Sequence, residues 1–206
     1  MTRYCLGLAV LTILFPYMSY AGDAPEELSG QYDNLAVSVV GEQVTGAFRE
    51  YRTGNGTDDA PQFSCIFMLK GSLIDDHAAI VTWAPGDKDV IHGTLTFSRG
   101  TASLKLDQDQ AGCAMTSGDM VTKPFELSKV SEGNGWVGVG MISVKKAILR
   151  SKPNAKPGRA PFVVQYDPVV ILSRKEDWLE VAYFGGENPV RGWLNRSELN
   201  LNSPSP

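Results

Sequence analysis

The sequence predicts an all-β protein, and three observations support this expectation. Apolar and polar residues alternate in short runs, the pattern of half-buried strands. Gly, Asn, Asp and Pro separate these runs, and apolar residues show no helical spacing over a long window. The chain of 206 residues is 43% hydrophobic and 20% charged, which is ordinary for a globular protein of one or two domains.

The first half contains seven predicted strands, which indicate a small antiparallel β-barrel or sandwich between residues 22 and 130. Gly41-Glu42 is typical of a tight turn between the first two. A closed barrel would leave no strand edge exposed. The predicted strands are Leu35–Val40, Val44–Tyr51, Phe63–Lys70, Ala78–Trp83, Val90–Phe97, Ala102–Asp107 and Phe125–Lys129.

The first 21 residues resemble a secretory signal peptide. A basic Arg3 precedes the apolar run Cys5–Phe15, and Ser19-Tyr20-Ala21 offers small residues for cleavage after Ala21. The alternative, an N-terminal membrane anchor, fits less well because the apolar run is shorter than the ~20 residues a span needs. We therefore expect an exported protein, periplasmic or secreted, that does not span the membrane.

Removal of the signal leaves two cysteines, Cys65 and Cys113. An even number of cysteines in an oxidising compartment predicts a disulfide. On the strand Phe63–Lys70, Cys65 shares a face with Phe67 and Leu69, which places it in a core. The alternative is a nucleophilic cysteine paired with a histidine, which is less favoured because an exported thiol with an available partner oxidises.

Charge divides the chain into two halves. Residues 22–135 contain 8 Lys and Arg against 17 Asp and Glu, whereas residues 136–206 contain 10 against 6. Either the two halves face different partners, or they attract each other. The polar run Ser131–Gly135 suggests a linker at residues 131–139, a second domain at 140–202 and a Ser/Pro-rich tail. Nucleic acid is not an expected partner, because the exported chain is acidic.

The second half carries three landmarks in order. Ala147–Pro153 reads as a hydrophobic residue followed by R-S-x-P, Asp177–Val181 contains W-x-x-V, and Arg191–Leu194 contains G-W followed by a hydrophobic residue. With the apolar run Val169–Leu172, this order resembles the bacterial SH3 (SH3b) domain family over Gly140–Leu201. The fold class that follows is an N-terminal antiparallel β-barrel or sandwich plus a C-terminal SH3-like barrel.

The resemblance implies a five-stranded barrel that binds peptidoglycan or another envelope ligand. Its ligand surface would lie beside the long first loop, here Ser151–Gln165, whose Lys152, Lys156 and Arg159 would suit anionic polymers or form a solvated charged loop. Trp178 and Trp193 would flank this surface, although both also suit core packing. The candidate ligand-binding residues are Arg159, Tyr166, Trp178, Tyr183 and Trp193.

No catalytic set, cofactor motif or metal motif is visible in the sequence. Asp75-Asp76-His77 is the densest polar cluster, and it is more typical of a turn than of a metal site. The sequence therefore predicts a non-enzymatic binding protein of the bacterial cell envelope. The alternative is an inhibitor or immunity-type protein whose acidic barrel blocks a basic hydrolase or toxin, with the loop Gly54–Ala60 inserted into its cleft. An enzyme is the third hypothesis.

Overall fold

The structure, a computed structural model, describes residues 25–54, 57, 59, 61–156, 158–186 and 188–201. The predicted signal peptide, the Ser/Pro-rich tail from Asn202 and four positions of the loop 54–60 lie outside these residues. Within the described ranges, no helix is both long and apolar enough to cross a membrane.

The first half forms a closed antiparallel barrel after a 3₁₀ helix, Pro25–Leu28. Each strand pairs with its neighbour in the chain, and the first strand also pairs with the eighth. All seven predicted strands are present within a few residues of their expected ends. The strands are β1 (Gly30–Tyr32), β2 (Leu35–Val40), β3 (Gln43–Arg52), β4 (Phe63–Ile74), β5 (His77–Trp83), β6 (Ile91–Ser98), β7 (Thr101–Leu106) and β8 (Phe125–Glu132).

Two-residue turns join several of these strands, as their sequences require. Asp33 and Gly41 adopt positive φ angles of 44° and 59° in the turns after β1 and β2. Asp75, at φ 57°, turns the chain between β4 and β5. The prediction that Asp75-Asp76-His77 forms a turn is therefore confirmed, with His77 as the first residue of β5.

Alternation along the strands fills the barrel interior with apolar side chains. The stacked rings of Phe48 and Phe67, 5.0 Å apart, lie near its centre and are fully buried. The interior cluster comprises Leu28, Tyr32, Leu35, Val37, Val39, Val44, Phe48, Cys65, Phe67, Leu69, Leu73, Ala78, Ile80, Leu95, Phe97, Ala102, Leu104, Leu106, Cys113, Met120 and Leu127.

The disulfide Cys65–Cys113 is present, as the cysteine count predicts. Its Cα atoms are 4.4 Å apart, and both side chains are fully buried in the barrel interior. The bond joins β4 to the short helix α1 (Cys113–Thr116), so it ties the long β7–β8 connection to the barrel wall. A buried disulfide fits a protein located outside the cytoplasm.

The second half, the C-terminal unit, contains a five-stranded antiparallel sheet and a two-stranded hairpin. The sheet order is β14-β13-β12-β9-β15, and a 3₁₀ helix, Arg196–Glu198, precedes the last strand. Its own core is built around Val169, Leu179 and Val181. The strands are β9 (Gly138–Ile142), β10 (Lys146–Ile148), β11 (Phe162–Val164), β12 (Pro168–Lys175), β13 (Trp178–Tyr183), β14 (Val190–Asn195) and β15 (Leu199–Asn200).

The division of the chain at residues 131–139 stays a prediction, but the strands show what occupies this segment. Ser131 and Glu132 lie on β8, and Gly138 and Val139 lie on β9. Residues 133–137 connect them, and within this connection Trp136 is only 6% exposed. The expected flexible linker is therefore a short connection anchored by a buried aromatic ring.

The two halves share a hydrophobic cluster, here called the junction cluster. It packs the outer face of β2–β5 against β9, β12 and β13, because residues that point away from the barrel interior are covered by the C-terminal sheet. Met68 and Trp83 of the barrel belong to it together with Val139 and Val170 of the sheet. The buried members are Ala36, Ala47, Met68, Trp83, Trp136, Val139, Met141, Val170 and Ala182.

Candidate functional site

The structure divides the five predicted ligand residues among three places. Trp178 and Trp193 lie side by side on one face of the C-terminal sheet. Tyr166 and Tyr183 lie where the sheet meets the barrel, and Arg159 is exposed in the loop between β10 and β11. These residues therefore do not converge on a single surface.

Strand register brings the two tryptophans together. Trp178 pairs with Asn195 and Trp193 pairs with Glu180 across β13 and β14, so both rings project from the same face as diagonal neighbours. Both side chains are half-buried, and neither belongs to the hydrophobic clusters of the described residues. The two rings therefore lie outside the hydrophobic cores, although core packing was the alternative expectation for both tryptophans.

Arg150 completes this surface. Its backbone pairs with that of Trp193 through hydrogen bonds of 2.7 and 3.0 Å, which places both side chains on one face. Its guanidinium carbon lies 4.9 Å from the centroid of the Trp178 ring, a cation–π contact. We call Arg150, Trp178 and Trp193 the tryptophan surface.

A carboxylate holds Arg150 in place. Arg150 Nη1 donates to Oε2 of Glu198 at 2.8 Å, and the same oxygen accepts the backbone N–H of Asn195 at 2.8 Å. Asn195 and Glu198 together form the capping box of the 3₁₀ helix. The guanidinium is therefore fixed against the Trp178 ring before any ligand arrives. Arg150 lies within a sequence landmark, but the sequence by itself assigns no role to it.

Cations surround the tryptophan surface. Lys175 pairs with Trp178 across β12 and β13 and is exposed, as is Arg191 on β14. Lys152 is exposed two residues after Arg150. Of the nearby carboxylates, Glu180 accepts a hydrogen bond from Ser173 Oγ at 2.8 Å, and Glu198 is paired with Arg150. Glu176 and Asp177 are exposed in the turn that precedes Trp178. The arrangement combines an aromatic platform with positive charge.

Tyr183 belongs to a polar cluster between the two halves. Arg49 of β3 forms an ion pair with Asp167, which precedes β12, and Arg49 Nη2 donates to the Tyr183 hydroxyl at 3.3 Å. The hydroxyl donates to Asp167 Oδ1 at 3.3 Å, and the backbone N–H of Val164 donates to Oδ2 at 2.8 Å. Asp167 is only 4% exposed, so this cluster joins the halves beneath the surface.

The electrostatics of this cluster favour the charged guanidinium. Burial by itself lowers the pKa of Arg49, but the hydrogen bond and charge interaction with Tyr183, followed by those with Asp167, raise that pKa above its usual value. The pair also bears on the charge asymmetry of the chain. Its cation comes from the acidic half and its anion from the basic half, so this contact runs against the net charges of the two halves.

Tyr166 has a structural position at the same junction. Its backbone has a positive φ of 70°, and its N–H donates to Ile142 O at 3.0 Å. The half-buried side chain packs on the junction cluster and lines a cavity of about 170 Å³ with Ile66 and Pro85 of the barrel half. Tyr166 thus faces the barrel rather than the tryptophan surface.

The chain matches none of the known family models, none of the curated proteins and none of the solved structures with which it was compared.

Proposed function

We propose that this chain is an exported, non-enzymatic binding protein of the bacterial cell envelope, and that its C-terminal unit is an SH3b-type domain that binds peptidoglycan or a related envelope polymer. The chain order of the C-terminal unit supports this proposal. A strand is followed by a hairpin with a long loop, three consecutive antiparallel strands, a 3₁₀ helix and a last short strand. The landmark residues lie on β10, β12, β13 and β14 in chain order.

The tryptophan surface carries the proposal. Two half-buried tryptophan rings lie beside each other, and a fixed guanidinium contacts one face of the Trp178 ring. Together they form an apolar platform that water solvates poorly. Exposed apolar patches with a polar rim are typical of binding sites. The exposed cations Lys152, Lys175 and Arg191 would attract an anionic polymer such as a wall glycan bearing carboxylates or phosphates.

A periplasmic or secreted location is part of the same proposal. The apolar run Cys5–Phe15 and the small residues before Gly22 motivate export, and the buried Cys65–Cys113 bond supports an oxidising compartment. A fusion of residues 1–24 to a reporter enzyme that is active only after export would measure this directly. Reporter activity that stays in the cytoplasm would contradict export.

A sedimentation assay with purified peptidoglycan tests the binding proposal. We expect the wild-type chain to co-sediment, and the variants Trp178→Ala and Trp193→Ala to lose most of this retention. Tyr51→Ala is the matched control, because Tyr51 is a 50% exposed aromatic residue on the barrel. Retention should also fall as salt rises, since screening weakens the attraction of exposed charges. Equal retention of wild type and both tryptophan variants would contradict this use of the surface.

The inhibitor hypothesis has one observation of its own in its favour. Consecutive antiparallel strands place every second connection at the same end of the barrel, and the connections after β1, β3, β5 and β7 carry exposed aspartates against Lys88 and Lys123. Met115 and Val90, 49% and 38% exposed, lie in the same connections. The aspartates are Asp33, Asp59, Asp87, Asp89, Asp107, Asp109 and Asp119.

Exposed apolar side chains among acidic ones would suit a basic protein partner. An assay against basic lytic enzymes of the envelope tests this second function. Inhibition that is lost in Asp87→Lys/Asp89→Lys and retained in Trp178→Ala would place the function at the barrel end. No inhibition of any enzyme tested would count against it.

A further inference from the structure

A cleft opens between the barrel and the C-terminal unit, away from the tryptophan surface. Its volume is about 280 Å³. Asn34, Gln31 and Val130 line it from the barrel side, and Phe184 lines it from the connection after β13. The size is close to the lower end of the range for small-molecule sites, which are commonly found between domains.

The polar groups of the cleft are fixed by the fold. Arg49 and Tyr183 both line it, and each is held by Asp167. A guanidinium has five N–H donors. The Arg49 guanidinium uses two of them, in its hydrogen bonds to Asp167 and to the Tyr183 hydroxyl. The Arg49 side chain is 21% exposed. The backbone N–H of Arg49 donates to Asn34 O at 3.0 Å, which holds the exposed Asn34 beside it.

The cation of the cleft is already compensated within the protein, because Arg49 is paired with Asp167. Asp33 at the rim is exposed and accepts the backbone N–H of Ser128 at 2.7 Å through Oδ2, and among the described ion pairs it has no cation partner. An anionic ligand would therefore gain no free cation here and would meet the Asp33 carboxylate. The side chains favour a neutral ligand that can both donate and accept hydrogen bonds.

The cleft also has an apolar side. The Phe184 ring is set against Trp136 at 5.4 Å, so its position is fixed by the junction. Val130, on the opposite rim, is 62% exposed, among the most exposed large hydrophobic residues described. Pro168 and Val170 form part of the lining between them. A ligand with an apolar face would cover surface that is otherwise left in water.

We propose that this cleft binds a neutral saccharide. A sugar ring combines hydroxyl groups, which match Asn34, Gln31, Arg49 and the Tyr183 hydroxyl, with a C–H face that matches Phe184 and Val130. The site is distinct from the tryptophan surface. Tyr183 and Trp178 lie at opposite ends of β13, and their side chains point to opposite faces of the sheet. The rise per residue of a strand puts their backbones roughly 17 Å apart.

Calorimetric titration of the full chain with the trimer of N-acetylglucosamine and with maltotriose tests the proposal. We expect at least one of these neutral sugars to bind saturably at millimolar concentration or below. Val130→Trp should fill the cleft, and Asn34→Ala should remove a hydrogen-bonding partner, each weakening binding about tenfold. Val40→Trp is the matched control, since Val40 is a 49% exposed valine elsewhere on the barrel.

The outcomes separate this proposal from the wall-binding function. Trp178→Ala should leave saccharide binding unchanged while it reduces sedimentation with peptidoglycan. Absence of saturable binding for both sugars, or equal binding by wild type and Val130→Trp, would overturn the saccharide site. Tighter binding of trigalacturonate than of either neutral sugar would overturn the inference that the ligand is neutral. Circular dichroism of each variant checks that it is folded.

Discussion

The barrel and the C-terminal unit bury their apolar residues in different ways. The barrel closes on itself, so its interior cluster is complete without the rest of the chain, and a disulfide reinforces it. The C-terminal sheet stays open, with a smaller core of its own on one side and the junction cluster on the other. The comparison indicates that the barrel is the scaffold and that the C-terminal unit depends on it for one of its faces.

Removing the disulfide would test the independence of the barrel most strongly. Cys65→Ala/Cys113→Ala should lower the free energy of unfolding by about 4 kcal/mol, because the bond spans a separation of 48 residues and restricts the unfolded chain. Urea denaturation measures this loss. Wild type in reducing buffer should unfold like the double variant, which itself should not respond to reductant. Unchanged stability would mean that the barrel core alone holds the long β7–β8 connection.

Trp136→Ala tests the junction at the buried aromatic ring of the connection between β8 and β9. The side chain is 6% exposed, and the ring lies 5.4 Å from that of Phe184, so its loss should lower the free energy of unfolding by about 3 kcal/mol. We expect urea unfolding to separate into two transitions, with the C-terminal unit first.

Trp178→Ala is the matched control for this prediction, because it makes the same substitution at a less buried position. Its ring is half-buried on the tryptophan surface, so it should cost no more than about 1 kcal/mol. Equal losses for Trp136→Ala and Trp178→Ala would contradict the distinction between an aromatic ring that joins the halves and one that lies on the tryptophan surface.

Arg49→Met should have a smaller effect at the same junction. It leaves the Asp167 carboxylate buried without its cation, and because Arg49 keeps 21% of its side chain exposed we expect a loss of about 2 kcal/mol. A double-mutant cycle with Asp167→Asn isolates the pair, and the two losses should not add. Additive losses would show that the two side chains act separately.

We expect the smallest effect from titration of Asp119, which lies in the β7–β8 connection, away from the junction cluster. The backbone N–H groups of Thr122 and Val121 donate to its carboxylate and lower its pKa below the usual 3.8. Because the pKa is depressed, the ionised Asp119 carboxylate stabilises the folded state at neutral pH. This stabilisation is lost as the pH falls through the folded-state pKa of Asp119. The amide NMR signals of Val121 and Thr122 should shift with a midpoint below pH 3.8, and Asp119→Asn should abolish that shift. A shift centred above this value would contradict the assignment.

Much of the barrel could be predicted because its determinants are local. Alternation along Phe63–Lys70 assigned Cys65, Phe67 and Leu69 to the interior, and the structure confirms this face. The first strand, Gly30–Tyr32, was missed because three residues are too few to show alternation, and it is recognisable only once it closes the barrel between β2 and β8.

The candidate site could be predicted only in part. The tryptophans were found from landmarks, but the opposite positions of Trp178 and Tyr183 depend on strand register and on the barrel beside them. Arg49 and Asp167, 118 residues apart in the chain, carry no shared sequence signal. The same holds for Asn34 and Val130 in the cleft.

The sequence by itself determined the all-β class, most of the strands and the disulfide, because alternation, turn residues and cysteine count act over short distances or as simple totals. Only the tertiary structure decided which outward-facing residues meet. Met68 and Ile66 point away from the barrel interior on β4, yet Met68 is buried in the junction cluster and Ile66 packs against it, because the C-terminal sheet covers them. The ion pair, the cleft and the separation of tyrosines from tryptophans follow from that packing, which no local pattern encodes.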